Sequence, residues 1–182
     1  MPEPPPTPPA PSRRREIRRL LAPALLVALM AVIALLYSRP WTARPGLRVA
    51  VARFDNETGN QRFDRFAEAL TNSVTAQLSA AAAGRYGVIG NAAILRAPRA
   101  RRDLAVIGSS LGVSYVVVGQ VQRSPLGIRV LASLIRLPDQ TYIRVASLER
   151  KVSDTKKMQA EIALGIADQF APRLSLFTSV AK

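Results

Sequence analysis

The chain is organised by where its apolar residues cluster and where their period changes. From Leu20 to Tyr37 the sequence LLAPALLVALMAVIALLY has no charged residue. As a helix this run is about 27 Å long, close to the hydrocarbon thickness of a bilayer. It is apolar on every side, which excludes an amphipathic surface helix, so a transmembrane helix is expected over 20–37. RRREIRR (13–19) stands directly before it, while Arg39, Arg44 and Arg48 follow more sparsely. That asymmetry puts the N-terminus in the cytoplasm and the C-terminal domain outside. LLYSRPWTARP shows no small-residue cleavage pattern, so the run reads as an uncleaved signal-anchor.

Beyond a Pro-containing linker over 38–46, the pattern predicts one domain over 47–174 and a short tail over 175–182. Leu47–Phe54 reads as a strand. In Gln61–Ala82, Phe63, Phe66, Ala67, Leu70, Val74 and Leu78 recur at helical spacing on one face. Tyr86–Ile89 is a short strand. Asp103 is a good N-cap for a helix over Leu104–Leu111, which Gly112 ends. The period then becomes two in Ser114–Arg123, Ile128–Arg136 and Thr141–Arg150. SPLG (124–127) and LPDQ (137–140) separate these runs with turn chemistry, which predicts a three-stranded antiparallel meander. Asp154 caps a last helix with a stripe of Met158, Ile162, Ile166 and Phe170. The order β-α-β-α-β-β-β-α implies an α/β fold, a mixed sheet with helices packed on it.

Composition narrows the chemistry. The chain has no Cys and no His, which removes thiol nucleophiles, imidazole ligands and Ser–His–Asp triads. Pro is concentrated in MPEPPPTPPAPS (1–12), so residues 1–19 read as an extended, solvated tail. The formal charge is +14, from 26 basic and 12 acidic residues. Residues 1–37 hold five Arg against Glu3 and Glu16, so most of the excess belongs to the folded part. A basic surface suits anionic lipid, acidic proteins or other polyanions. No nucleic-acid partner is expected, because the basic segments lack interleaved aromatics or a recognition helix.

Two polar segments carry the candidate chemistry. The first follows strand one in RVAVARFDNETGN (48–60). Asp55 and Glu57, with Asp64 and Glu68 on the next helix, are the carboxylates an oxygen-only metal site would need. The plainer reading is a turn: an Asx bend at Asp55 and Asn56, a positive φ at Gly59, and acids offsetting the helix dipole. That reading is favoured, with no metal, cofactor or catalytic residue expected. The second segment is RAPRARR (96–102), whose Arg96, Arg99, Arg101 and Arg102 are the candidate anion-binding residues. Its plain reading is a solvated loop. No phosphate-binding glycine loop is present.

Taken in order, RVAVARFDNETGN (48–60), FAEALTNSVTAQLS (66–79), YGVIG (86–90), DLAVIGSSLGVSYVVVGQVQR (103–123), GIRVLASLIR (127–136) and MQAEIALGIA (158–167) resemble the TolB amino-terminal-like domains. LGVSYVVVGQV (111–121) is the most specific piece. The resemblance spans 47–174 and implies an anticodon-binding-like arrangement, used for protein contacts and not for catalysis. Such domains often follow a single span in bacterial one-component regulators and adenylate cyclases. Three departures stand out. Ala52-Arg53 replaces the usual Leu-Pro, the aromatic ending around Tyr142–Arg150 is largely missing, and the cytoplasmic part is only about 19 residues. The expectation is a non-enzymatic inner-membrane protein with a periplasmic domain that binds a protein partner. Asp55, Asn56, Glu57, Arg62 and Arg65 are the candidate contact residues. The alternative is a periplasmic sensor that takes an anionic small ligand or nucleotide through the Arg-rich loop. Homo-oligomerisation stays open.

Overall fold

The computed structural model describes residues 46–180 apart from Pro138 and Ser153. The tail over 1–19, the apolar run over 20–37 and nearly all of the 38–46 linker lie outside the described residues. Among the described residues, no helix is long and apolar enough to cross a membrane.

Strand β1 (Arg48–Val51) lies at the centre of the parallel part of the sheet, with Val49, Val51, Ala50 and Ala52 all buried. It pairs in parallel with β3 (Gly87–Ile89) on one side and with β4 (Tyr115–Ser124) on the other. Strands β4, β5 (Gly127–Arg136) and β6 (Thr141–Arg150) form the antiparallel meander, with a register shift between Leu134 and Ile135. The sheet order is β3-β1-β4-β5-β6. Parallel neighbours require crossover connections, and helices supply them here. Helix α1 (Asp64–Ala82) joins β1 to β3, and α2 (Leu104–Leu111) joins β3 to β4 across β1.

The two crossovers take opposite faces. On one face, Phe66, Leu70, Val74 and Leu78 of α1 join Val49, Val51, Val117, Val121, Val130 and Leu134 of the sheet. Helix α3 (Thr155–Val180) shares that face through Met158, Ile162, Ile166, Phe170 and Leu174. Gln159 Nε2 bridges the two helices by donating to the Ala69 carbonyl at 3.1 Å and to Ser73 Oγ. On the opposite face, Ile107 of α2 and Leu95 of the preceding loop cover only Ala50, Ala52, Val116 and Ile135. The stripes expected on both long helices are therefore the core. Each fully buried aliphatic or aromatic side chain in them is worth about 1.5–3 kcal/mol.

Three elements differ from the expected outline. The helix foreseen from Gln61 opens as a 3-10 turn over Gln61–Phe63, capped by Asn60. The last helix runs to Val180, and Phe177 stacks on Tyr115 with ring centroids 5.3 Å apart. The largest correction concerns Asp55–Glu57, which forms a short strand, β2, parallel to β4. The order is thus β-β-α-β-α-β-β-β-α. Val51 pairs with Val117 and Asp55 with Gln120, so the first strand carries one extra residue, a bulge. The expected bend is present as well, with the Thr58 N–H on Asn56 Oδ1, while the Asp55–Glu57 backbone pairs with Gln120–Gln122.

Phe54 fills the bulge. Its ring is fully buried over Gly119, where an added Cβ would lie 2.5 Å from the ring carbons. Its N–H donates to Thr71 Oγ1 at 2.9 Å, and that hydroxyl donates to the Ala67 carbonyl at 2.8 Å. The Gly119→Ala variant is expected to lose about 1–3 kcal/mol of unfolding free energy through overpacking, read from urea denaturation.

The β5–β6 turn is held by Arg136, which pairs with Asp139, and by the Thr141 hydroxyl, which donates to the same carboxylate at 2.8 Å. The Arg136 hydrogen bond, then that of Thr141, holds the Asp139 carboxyl well below the usual carboxylate range. A folded value below the unfolded one stabilises above the unfolded value of 3.8 and is lost as pH falls toward the folded one. The difference in Tm between the protein and its Asp139→Asn variant is therefore expected to be constant near neutrality and to shrink below pH 3.8.

Candidate docking surface

Strand β2 divides its side chains between two sides, as period two requires. Asn56 faces the start of α1. Its Nδ2 donates to the Asn60 carbonyl at 2.9 Å and to Asp64 Oδ1 at 2.7 Å. Its Oδ1 accepts from the Thr58 N–H at 3.0 Å and from Thr58 Oγ1 at 2.7 Å. This is an Asx turn, and Gly59 follows with φ of 73°. Asn56 is wholly engaged in shaping the loop.

Asp55 and Glu57 point to the other side and meet the arginine segment. The Arg102 side chain is 3 % exposed and grips the Asp55 side chain, itself 16 % exposed, through Nη1 at 3.1 Å and Nη2 at 3.3 Å. The same guanidinium donates to the carbonyls of Arg53 at 2.9 Å and Ala97 at 2.9 Å. Arg99 pairs with Glu57 at 3.0 Å in the open, and Gln122 donates to the other oxygen of Glu57 at 3.2 Å. The structure thus brings together two segments that the sequence kept apart. Arg102 is occupied by this clamp. Arg101 is exposed, and Arg96 lies further along the loop, bonded to Asn91. Arg62 and Arg65 are exposed at the start of α1, on the Asn56 side.

The division by faces also bears on metal chemistry. Asp55 and Glu57 are turned toward arginines, while Asp64 accepts from Asn56 on the other side. Among the described residues, no three acids converge on a point that could hold a metal ion.

Beside the clamp the sheet is bare. Helix α2 and its loop stop short of the β4–β6 half, and a groove of about 310 Å³ opens there. Its floor is Val118, Leu131, Ile135 and Val145, and its rim is Asp55, Arg99, Gln120, Ser133, Gln140 and Tyr142. Tyr142 is 62 % and Val145 51 % exposed. An apolar floor with a polar, hydrogen-bonding rim is the anatomy of a protein contact surface. Sequence patterning missed the groove. Alternation in the meander shows two half-apolar faces, and nothing local says which one a helix covers.

No family model matches the chain. Over 127 residues, 70% of its length, the chain is 25% identical to a putative adenylate cyclase 3 of Rhizobium meliloti (strain 1021). It spans only 21% of the length of that relative. Similar solved structures include TolB from Acinetobacter baumannii, at 21% identity and a TM-score of 0.44 over 66% of this chain and 27% of that one. They also include a PelC dodecamer from Paraburkholderia phytofirmans, at 17% identity and a TM-score of 0.47 over 69% and 90%. Lipoprotein GNA1162 from Neisseria meningitidis aligns at 15% identity and a TM-score of 0.47 over 68% and 96%. These scores lie below 0.5, so the fold rests on the sheet order and helix placement described above.

The two arginines are expected to differ sharply when truncated. Arg102→Ala leaves the Asp55 carboxylate partly buried without its cation and should cost about 3–5 kcal/mol. Arg99→Ala removes an exposed pair and should cost less than about 1 kcal/mol. Urea unfolding of both variants checks this.

Proposed function

We propose that this is a non-enzymatic, membrane-anchored bacterial protein whose α/β domain docks a protein partner on the uncovered half of its sheet. The observation that carries the reading is the groove over β4–β6, apolar at its floor and edged by the Glu57–Arg99 pair. An antiparallel sheet can leave one face to water when that face is polar, but an exposed strip of aliphatic and aromatic side chains stays hydrated at a cost. A partner that lays an apolar ridge across Val118, Leu131, Tyr142 and Val145 removes that cost. The Glu57–Arg99 rim adds charge selectivity for little affinity.

Other features support the same reading. The motifs over 47–174 resemble TolB amino-terminal-like domains, a family of protein-contact modules. The stretch similar to the putative adenylate cyclase is a minor part of that protein, as befits a transferable module. Anchoring through 20–37, with the domain on the periplasmic side, follows from the length of the apolar run and the arginines before it. Asn56 shapes the loop before α1, and the exposed Arg62 and Arg65 at the start of that helix add cationic contacts.

The test is photo-crosslinking in cells from positions 142 and 145, with 56, 65 and 99 alongside, read by mass spectrometry. A discrete heterologous partner is expected from 142 and 145. Tyr142→Asp with Val145→Asp should reduce its capture at least tenfold while the urea midpoint stays put. Self-crosslinks alone, or capture that survives both substitutions, would overturn the groove as the docking face.

A further inference from the structure

The chain's connections diverge between the neighbouring strands β1 and β3. Helix α1 leads from the β1 side along one face to β3, and α2 leads from β3 across the other face to β4. Helices that leave in opposite directions open a crevice beyond the carboxyl ends of the strands, where open α/β sheets take ligands. Such a crevice, of about 60 Å³, is present, lined by Arg53, Glu68, Asn72, Asn91, Leu95 and Arg96.

Two exposed arginines, Arg53 and Arg96, line it. The Arg53 N–H donates to the Leu95 carbonyl at 2.9 Å, which fixes Arg53 beside the Leu95–Arg96 backbone. Arg96 Nη2 is tied to the Asn91 carbonyl at 3.2 Å and to Asn91 Oδ1 at 2.6 Å. Those bonds orient the guanidinium and leave its Nε and Nη1 uncommitted. Asn91 itself holds a left-handed φ of 62°, an uncommon conformation outside glycine. Among the described residues, the Arg53 guanidinium has no hydrogen bond or ion pair. Glu68 lines the crevice without an ion pair to either arginine, although Asp55, Glu57, Asp139, Glu149 and Glu161 all have one. Arg53 is thus a cation without an internal counter-charge, in the same crevice as an arginine whose Nε and Nη1 are free.

We infer that this crevice binds a single oxyanion group, phosphoryl or carboxylate, between Arg53 and Arg96. The amide donors of Asn72 and Asn91 complete its hydrogen bonds. A volume of about 60 Å³ admits a head group and leaves the rest of the ligand outside. The site keeps only Arg96 of the arginine segment and adds Arg53, because Arg102 and Arg99 are spent on Asp55 and Glu57. It lies apart from the β4–β6 groove and does not rest on the docking reading.

The test is thermal denaturation of the full chain in zwitterionic micelles, with inorganic phosphate titrated at constant ionic strength against chloride. Saturable stabilisation by phosphate is expected. Arg53→Gln and Arg96→Gln should each weaken it at least tenfold, and Arg62→Gln should not. Glycerol phosphate and phosphatidate vesicles, added to separate samples, tell a soluble ligand from a lipid head group by which one reproduces the Arg53- and Arg96-dependent response. No phosphate response beyond chloride, or an equal response in both crevice variants, would overturn the proposal. Crosslinking from Tyr142 and Val145 would be untouched by that failure.

Discussion

The guanidinium of Arg102 ties together three pieces of chain that no regular element connects. It neutralises Asp55 on β2, takes the Arg53 carbonyl at the bulge and holds the Ala97 carbonyl of the loop. Planar, always charged and rich in donors, an arginine can satisfy all three at once, which a lysine could not. A buried pair of this kind adds little net stability over an apolar replacement, yet losing one member is costly. Its consequence is positional. With Arg102 in place, the loop over 91–103 is pinned against one part of the sheet and cannot spread over the rest.

That placement sets the shape of both candidate sites. Helices α1 and α3 both occupy one face, where Gln159 locks them together. The other face has only the short α2 and the pinned loop. The β3–β1–β4 part is therefore covered on both sides, whereas β4–β6 is covered on one. The groove is the uncovered remainder, and the crevice at Arg53 lies where the loop meets the end of β1. The bulge contributes to both. By turning Phe54 inward over Gly119, it places Arg53 in the crevice and Asp55 under Arg102.

Charge is used in distinct ways over this surface. Arg102 is structural, Arg99 sits on an exposed rim, and Arg53 and Arg96 line one crevice with no ion pair among the described residues. A net charge of +14 says nothing of this division. The sequence segments 55–57 and 96–102 each read alone as a polar turn and a solvated basic loop. Only their meeting turns them into one clamp.

Much of the architecture was nonetheless legible from residue order. Phe66, Leu70, Val74 and Leu78 at helical spacing, Asp103 as a cap, and three runs of period two around SPLG and LPDQ specify helices and a meander, because those signals are local. Each reports a torsional preference or the solvent preference of one side chain. Strand β2 escaped that reading, since Asp, Asn and Glu are turn formers and its pairing with Gln120–Gln122 is sixty-five residues away. The same holds for the ion pairs that join residues 42 and 47 positions apart, and for the half of the sheet left bare. The sequence by itself determined which stretches fold and which of their faces are apolar. Which charges neutralise each other, and which apolar face stays open, depended on where the crossovers landed, and only the tertiary structure decided that.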